Sequence, residues 1–137
     1  MVVENQTSHQ TKKDILAPIR PDMARLNDVV RTTLHSEVPL VNQVAEYLIN
    51  AGGKRLRPAI HLLLTRALQK TCPDTAYTLA AVVEFIHTST LLHDDVVDES
   101  DLRRGRQTAN ALFGNAASVL VGDFLYSRSF QMMVSVQ

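Results

Sequence analysis

The feature that most constrains the fold is a long apolar segment near the middle of the chain, at residues 75–98. Its apolar residues fall on nearly every side of a helix with about 3.6 residues per turn. They are Leu79, Val82, Val83, Phe85, Ile86, Leu91, Leu92, Val96 and Val97. A helix that is apolar all round must be enclosed by other elements, so the segment predicts a helical bundle built around it. Glu84 and His87 interrupt the run, and we therefore expect no membrane span.

Further helices are predicted on both sides of this segment, at residues 15–34, 41–49, 58–69 and 117–136. Pro18 and Pro21 should confine the regular part of the first helix to residues after about 20. Gly52-Gly53 should end the second helix, and Pro58 fits the first turn of the third. Since no useful length of the chain alternates polar and apolar residues, the predicted class is all-α.

The sequence predicts a polar, mobile tail at residues 1–13 and a helical domain at residues 14–137. No glycine or proline ends the last helix before Gln137, and the predicted helices cover too little of the central segment. We therefore expect the domain to be incomplete at its C-terminal end.

Charge and cysteine content narrow the class of function. With 14 basic and 14 acidic residues, the formal net charge is zero, which argues against nucleic-acid binding through a basic surface. Cys72 is the one cysteine, so an intramolecular disulfide is excluded and a reducing compartment is favoured. The N-terminal residues lack the apolar core of a signal peptide, and we expect a cytoplasmic protein.

Three carboxylates, those of Asp94, Asp95 and Asp98, follow the apolar segment. His87, Asp94 and Asp98 are seven and eleven residues apart and share one stripe of a helix, with Asp95 about 100° to its side. Carboxylates that converge from a buried helix repel each other unless they are protonated or neutralised by a cation. Mg²⁺ is commonly held by one or two carboxylates together with substrate phosphates. The alternative is a solvated helix end. The arginines that follow favour a Mg²⁺–diphosphate site.

Two basic clusters supply candidate anion ligands. Arg103 and Arg104 follow the aspartates within one short loop, and guanidinium groups bind phosphate through two hydrogen bonds. The second cluster, "GGKRLRP" at residues 52–58, places Lys54 and Arg57 at a helix–loop–helix junction, where a helix N-terminus itself favours anions. It lacks the spacing of a Walker loop. A helix end with solvated cations is the alternative.

These stretches together resemble the trans-type polyprenyl diphosphate synthases. "GGKRLRP" is similar to the family's isopentenyl-diphosphate motif, "LLHDDVVDESDLRRGRQTAN" to its first aspartate-rich region, and "SVLVGDFLYSRSFQMM" to the helix that follows. The resemblance covers most of residues 45–133 and implies the helical bundle of an isoprenoid synthase. It is closest to bacterial long-chain members, the octaprenyl diphosphate synthases that supply quinone side chains.

The resemblance implies a condensation of isopentenyl diphosphate with an allylic diphosphate. Asp94, Asp95 and Asp98 would hold Mg²⁺ on the allylic diphosphate, and Arg103 would contact the same group. The isopentenyl diphosphate would be bound by four residues: Lys54, Arg57, His87 and Arg104. On this reading the aspartates and arginines both serve a diphosphate and need not neutralise each other.

The resemblance also bears on product length and assembly. In this family, residues four and five positions before the first aspartate form the floor of the product tunnel; here they are the small Thr90 and Ser89, which implies a long product. The family's second aspartate-rich motif has no counterpart after Asp123. We therefore expect the N-terminal part of a synthase, with little or no activity alone, and a homodimer when full length.

Two other interpretations remain open. His93-Asp94 reads as the "HD" of a helical phosphohydrolase, with His61 and His87 as the further candidates, although this leaves both basic clusters unexplained. A non-catalytic helical subunit or scaffold that retains the synthase fold is the second. Binding of diphosphate and Mg²⁺ would distinguish both from a synthase.

Overall fold

A computed structural model describes residues 15–136, so the predicted tail at residues 1–13 lies outside the described residues. Residues 15–136 include six α-helices: α1 Arg20–Leu34, α2 Pro39–Asn50, α3 Leu56–Gln69, α4 Asp74–Val97, α5 Ala109–Phe113 and α6 Asn115–Ser135. A 3-10 turn, Ala17–Ile19, precedes α1. The all-α prediction is confirmed, and the five long helices lie within a few residues of their predicted positions.

A short hairpin and a single-turn helix were not predicted, and both lie between the aspartates and α6. β1, Leu102–Arg103, and β2, Arg106–Gln107, pair antiparallel as a minimal hairpin, and the single-turn α5 follows. Each is too short to show a periodic pattern.

Helix α4 is the central element, packed against α1, α3 and α6. Ala80 and Ala81 are fully buried and let neighbouring backbones approach, while Phe85 and Leu92 fill the core. Within residues 15–136 the apolar surface of α4 is not fully covered, since Val83 is 37% and Val97 80% exposed. None of the helices in the described part of the chain has the length and apolar character needed to span a bilayer.

A buried polar network joins α1, α3 and α4 at the end of the bundle away from the aspartates. The Asp22 carboxylate, 2% exposed, accepts a hydrogen bond of 2.9 Å from Arg66 Nη2 and one of 2.6 Å from the Tyr77 hydroxyl. Arg66 Nε donates to its other oxygen. The network holds three helices in one arrangement, and no periodicity in the sequence signals it.

Candidate functional site

The predicted binding residues converge on one cleft, of about 390 Å³, between the C-terminal end of α2, the start of α3, the second half of α4 and the hairpin. Lys54, Arg57, His87, Arg103 and Arg104 all line it. Asp95 lines it too. This volume lies within the range of small-molecule sites. Residues that are up to 50 positions apart in the sequence thus form one surface, whose ionised side chains are mostly cations.

The junction between α2 and α3 supplies one wall of this cleft. Gly52 has φ 70°, which ends α2 as predicted, and Arg55 adopts a left-handed conformation with φ 45° that turns the chain into α3. Lys54 and Arg57 flank this turn and are exposed. Pro58 lies in the first turn of α3, where its missing N–H has no cost.

His87 is the meeting point of the two basic clusters. Arg57 Nη1 lies 3.2 Å from His87 Nε2. Because a guanidinium can only donate, Nε2 accepts this bond and the ring proton is assigned to Nδ1. Burial lowers the pKa of His87, and the positive charge of Arg57 lowers that pKa further. Glu84 opposes this shift, and Arg103 and Arg104 add smaller lowering effects. A neutral imidazole with one N–H available for donation results.

Asp95 differs from the other two aspartates. It is 6% exposed and accepts two hydrogen bonds from Arg103, of 3.1 Å from Nε and 2.6 Å from Nη2. This pairing raises the pKa of Arg103. One arginine and one aspartate of the predicted site thus pair directly, because a half-exposed guanidinium folds back onto a buried carboxylate one loop away.

Asp94 and Asp98 do not line the cleft. Both are exposed at the end of α4, and Asp98 is the residue that caps the helix. Within residues 15–136 neither carboxylate forms an ion pair, and no three His, Cys, Asp or Glu side chains are grouped as a protein-only metal site. The stripe predicted for His87, Asp94 and Asp98 therefore divides between the cleft and the open end of α4.

The hairpin presents Arg103 and Arg104 to the cleft. Arg104 and Gly105 connect its strands with φ 51° and 76°, the two positive angles of a type I′ turn. At its base the Thr108 hydroxyl donates to Ser100 O at 2.7 Å, and Asn110 Nδ2 donates to the same oxygen at 2.9 Å. The "RRGR" sequence contained the signal for this turn in its glycine.

The two predicted chain-length residues have different surroundings. Ser89 is 2% exposed and donates a hydrogen bond of 2.8 Å to Gly122 O on α6. Thr90 is exposed, and its hydroxyl donates to His87 O at 2.6 Å. Of the two, only Thr90 presents its side chain to an open face of the described structure.

The structure is thus an all-α bundle with a cationic cleft beside a carboxylate-rich helix end. The chain belongs to the polyprenyl synthetase family, whose sequence profile matches residues 38–137. This confirms the resemblance and the isoprenoid-synthase fold drawn from the motifs. The three histidines of the phosphohydrolase interpretation are not gathered around a metal site among residues 15–136.

Individual relatives include an octaprenyl and a decaprenyl diphosphate synthase. The octaprenyl diphosphate synthase of Escherichia coli is 58% identical over 115 residues, which are 84% of this chain and 35% of that protein. The decaprenyl diphosphate synthase of Rhodobacter capsulatus superposes with a TM-score of 0.84 at 51% identity, covering 89% of this chain and 38% of that one.

A polyprenyl synthase from Caulobacter crescentus, whose crystal structure holds calcium and isoprenyl diphosphate, gives a TM-score of 0.80 at 48% identity. That match covers 88% of this chain and 36% of the other. The chain thus spans about a third of the length of the relatives it matches.

Proposed function

We propose that this chain is the N-terminal part of a long-chain trans-polyprenyl diphosphate synthase with an octaprenyl product for quinone side chains. The whole enzyme condenses isopentenyl diphosphate with an allylic diphosphate. The observation that carries the proposal is the cleft itself, in which five predicted ligands (Lys54, Arg57, His87, Arg103 and Arg104) lie together. Membership of the polyprenyl synthetase family supports the reaction class.

Lys54, Arg57 and Arg104 bind the diphosphate of isopentenyl diphosphate in this proposal, and His87 donates to it from Nδ1. The accepting contact of His87 Nε2 with Arg57 keeps that proton on Nδ1. Arg103 serves the allylic diphosphate from the opposite wall. Fixed cations aimed at a departing diphosphate stabilise the charge that develops on it in the transition state.

The carboxylates fit Mg²⁺ as a metal shared with substrate. Asp94 and Asp98 are exposed one helical turn apart, and Mg²⁺ is typically held by one or two carboxylates with substrate phosphates as further ligands. Asp95 is the third proposed ligand; its carboxylate is held by Arg103, so it orients this end of the site. When bound, the metal would neutralise negative charge on the leaving diphosphate.

The reaction needs no protein nucleophile. As the allylic C–O bond breaks, its electron pair leaves with the diphosphate, and the isopentenyl double bond supplies the electrons of the new C–C bond. Loss of a proton then restores a double bond in a product longer by one isoprene unit. This chain's residues bind and orient both diphosphates.

Ser89 and Thr90 remain the proposed chain-length positions. A small residue at each leaves room for a long product between helices. In an active full-length enzyme, replacement of Ser89 or Thr90 with Phe should shorten the product. Thr90→Phe is the cleaner test, because a ring at Ser89 would also push α6 away from α4. Unchanged product length for both variants would remove the tunnel argument.

The proposal is tested by titrating this chain with inorganic diphosphate in a calorimeter. Arg57→Ala should weaken binding about tenfold or more, since a charge-assisted hydrogen bond to the anion is lost. Lys70→Ala is the control, because it removes one exposed cation outside the cleft. If the unmodified chain does not bind diphosphate, or if both variants bind alike, the scaffold interpretation is favoured.

We also propose that the chain alone is inactive as a synthase, and that the full-length enzyme is a cytoplasmic homodimer. The end of α4 carries one aspartate-rich region, beside the cleft, whereas the resemblance to the family implies two. Purified chain should release no product from isopentenyl and allylic diphosphates with Mg²⁺. Measurable turnover would contradict this.

A further inference from the structure

The hairpin that carries Arg103 and Arg104 is too small and too exposed to be stable by itself. Its four strand residues are all exposed, and two residues pair with two. An isolated two-stranded hairpin is marginal in water even when it is longer than this one. Something outside the hairpin must therefore fix the direction in which its arginines point.

Helix α2 supplies that support through Tyr47. The Tyr47 hydroxyl donates a hydrogen bond to Gln107 O, the last residue of β2. Its ring and that of Phe113 on α5 pack edge to face, with centroids 5.7 Å apart. Tyr47 thus connects the helix before the cleft with both short elements after α4.

Arg106 completes the contact from the side of the hairpin. Its Nη1 donates to Asn50 O at 3.1 Å, and its guanidinium lies 5.0 Å from the centre of the Tyr47 ring. Asn50 is the last residue of α2, where a cation is favoured by the free carbonyls and the helix dipole. The stacked guanidinium adds a cation–π interaction.

The pairing of the two strands links the contact with α2 to the arginines of the cleft. Arg106 is paired with Arg103, and Gln107 with Leu102. A movement of β2 away from α2 would therefore carry Arg103 away from Asp95 and Arg104 away from Gly53, which its Nη1 approaches.

We propose that Tyr47 and Arg106 form a clasp that docks the hairpin on α2 and so sets the position of the two diphosphate-binding arginines. Both are positioning residues. Their effect on ligand binding rests on the function proposed above, whereas the docking itself does not.

Tyr47→Phe tests the clasp without changing any charge. Amide hydrogen exchange of residues 102–107 should become about fivefold faster, which corresponds to the loss of one net hydrogen bond, while amides in α4 keep their rates. Diphosphate affinity should fall by a similar factor. Tyr126→Phe, the same change on α6 beside Phe130, is the matched control and should alter neither.

Arg106→Lys provides a second measurement that retains the positive charge. It removes the planar stacking on Tyr47 and should again accelerate exchange in the hairpin. If the amides of residues 102–107 exchange at the unmodified rate in both variants, the proposed clasp is wrong. Faster exchange with unchanged affinity would overturn its role in positioning. If the unmodified chain binds no diphosphate, the proposed function fails, and the exchange rates still decide whether the clasp exists.

Discussion

Arg104 occupies a backbone conformation that costs an L-residue free energy. Its φ of 51° places it at the first central position of a type I′ turn, where Asn, Asp and Gly are preferred. A strained residue that persists at a cleft is a reason to look for function there. We propose that the strain at Arg104 is retained because this turn directs the guanidinium along the cleft wall that includes Gly53.

Arg104→Asn should therefore separate stability from binding. We expect the free energy of unfolding to rise by about 0.5–1 kcal/mol, because Asn tolerates the left-handed region. Diphosphate affinity should fall about tenfold. Denaturant unfolding and calorimetry measure the two effects.

Lys70→Asn is the control for this prediction, since Lys70 has φ 63° at the end of α3 and lies outside the cleft. Lys70→Asn should raise the free energy of unfolding and leave diphosphate affinity unchanged. A loss of affinity in Lys70→Asn, or no loss in Arg104→Asn, would contradict the role given to Arg104.

At the scale of elements, one glycine of α6 leaves room for a side chain of α4. A Cβ at Gly122 would lie 2.6 Å from His93 Cδ2, which is closer than van der Waals contact. His93 Nε2 lies 3.2 Å from Val119 O and 3.2 Å from an Asp123 carboxylate oxygen. The imidazole therefore fills the space that the missing side chain leaves and joins the helix that ends in the aspartates to its neighbour.

Gly122→Ala should lower the free energy of unfolding by about 1–2 kcal/mol, through overpacking against His93. In a His93→Ala background the same change should instead raise the free energy of unfolding. There the space is vacant, and alanine's higher helix propensity contributes up to about 1 kcal/mol. Thermal or denaturant unfolding of the four proteins forms a double-mutant cycle. Additive effects would show that the two residues do not compete for one space.

At the scale of the whole molecule, the Asp22 network fixes three helices relative to one another. The hydrogen bonds from Arg66 lower the pKa of Asp22 below its ordinary value of 3.8, against the opposing effect of burial. The same carboxylate raises the pKa of Tyr77 to about 12. The ionised carboxylate is therefore the form that the fold stabilises.

The pH dependence of folding stability follows from the lowered pKa of Asp22. Below pH 3.8 the unfolded chain takes up a proton at Asp22 more readily than the folded one, so stability is present above that pH and is lost as pH falls toward the folded-state pKa. Asp22→Asn should cost about 2 kcal/mol at neutral pH and flatten the acid limb of the stability curve.

Acid titration followed by circular dichroism tests this prediction. Asp28→Asn, an exposed change on the same helix, is the control and should reproduce the acid limb of the unmodified chain. An equal acid limb in Asp22→Asn would mean that another carboxylate governs acid unfolding.

The sequence by itself determined the five long helices and the residue types available at the site. The period of the apolar residues located the five long helices, because that period is a local property of the chain. The carboxylates after α4 and the two basic clusters marked the family and the candidate ligands, since the motifs are contiguous.

Only the tertiary structure decided how these groups are paired. Asp95 is engaged by Arg103, while Asp94 and Asp98 remain at the open end of α4. The clasp joins residues 60 positions apart, from Tyr47 to Gln107, and the Asp22 network joins residues 44 and 55 apart. Such contacts depend on where the packed helices bring side chains, and no local pattern of residue types records them.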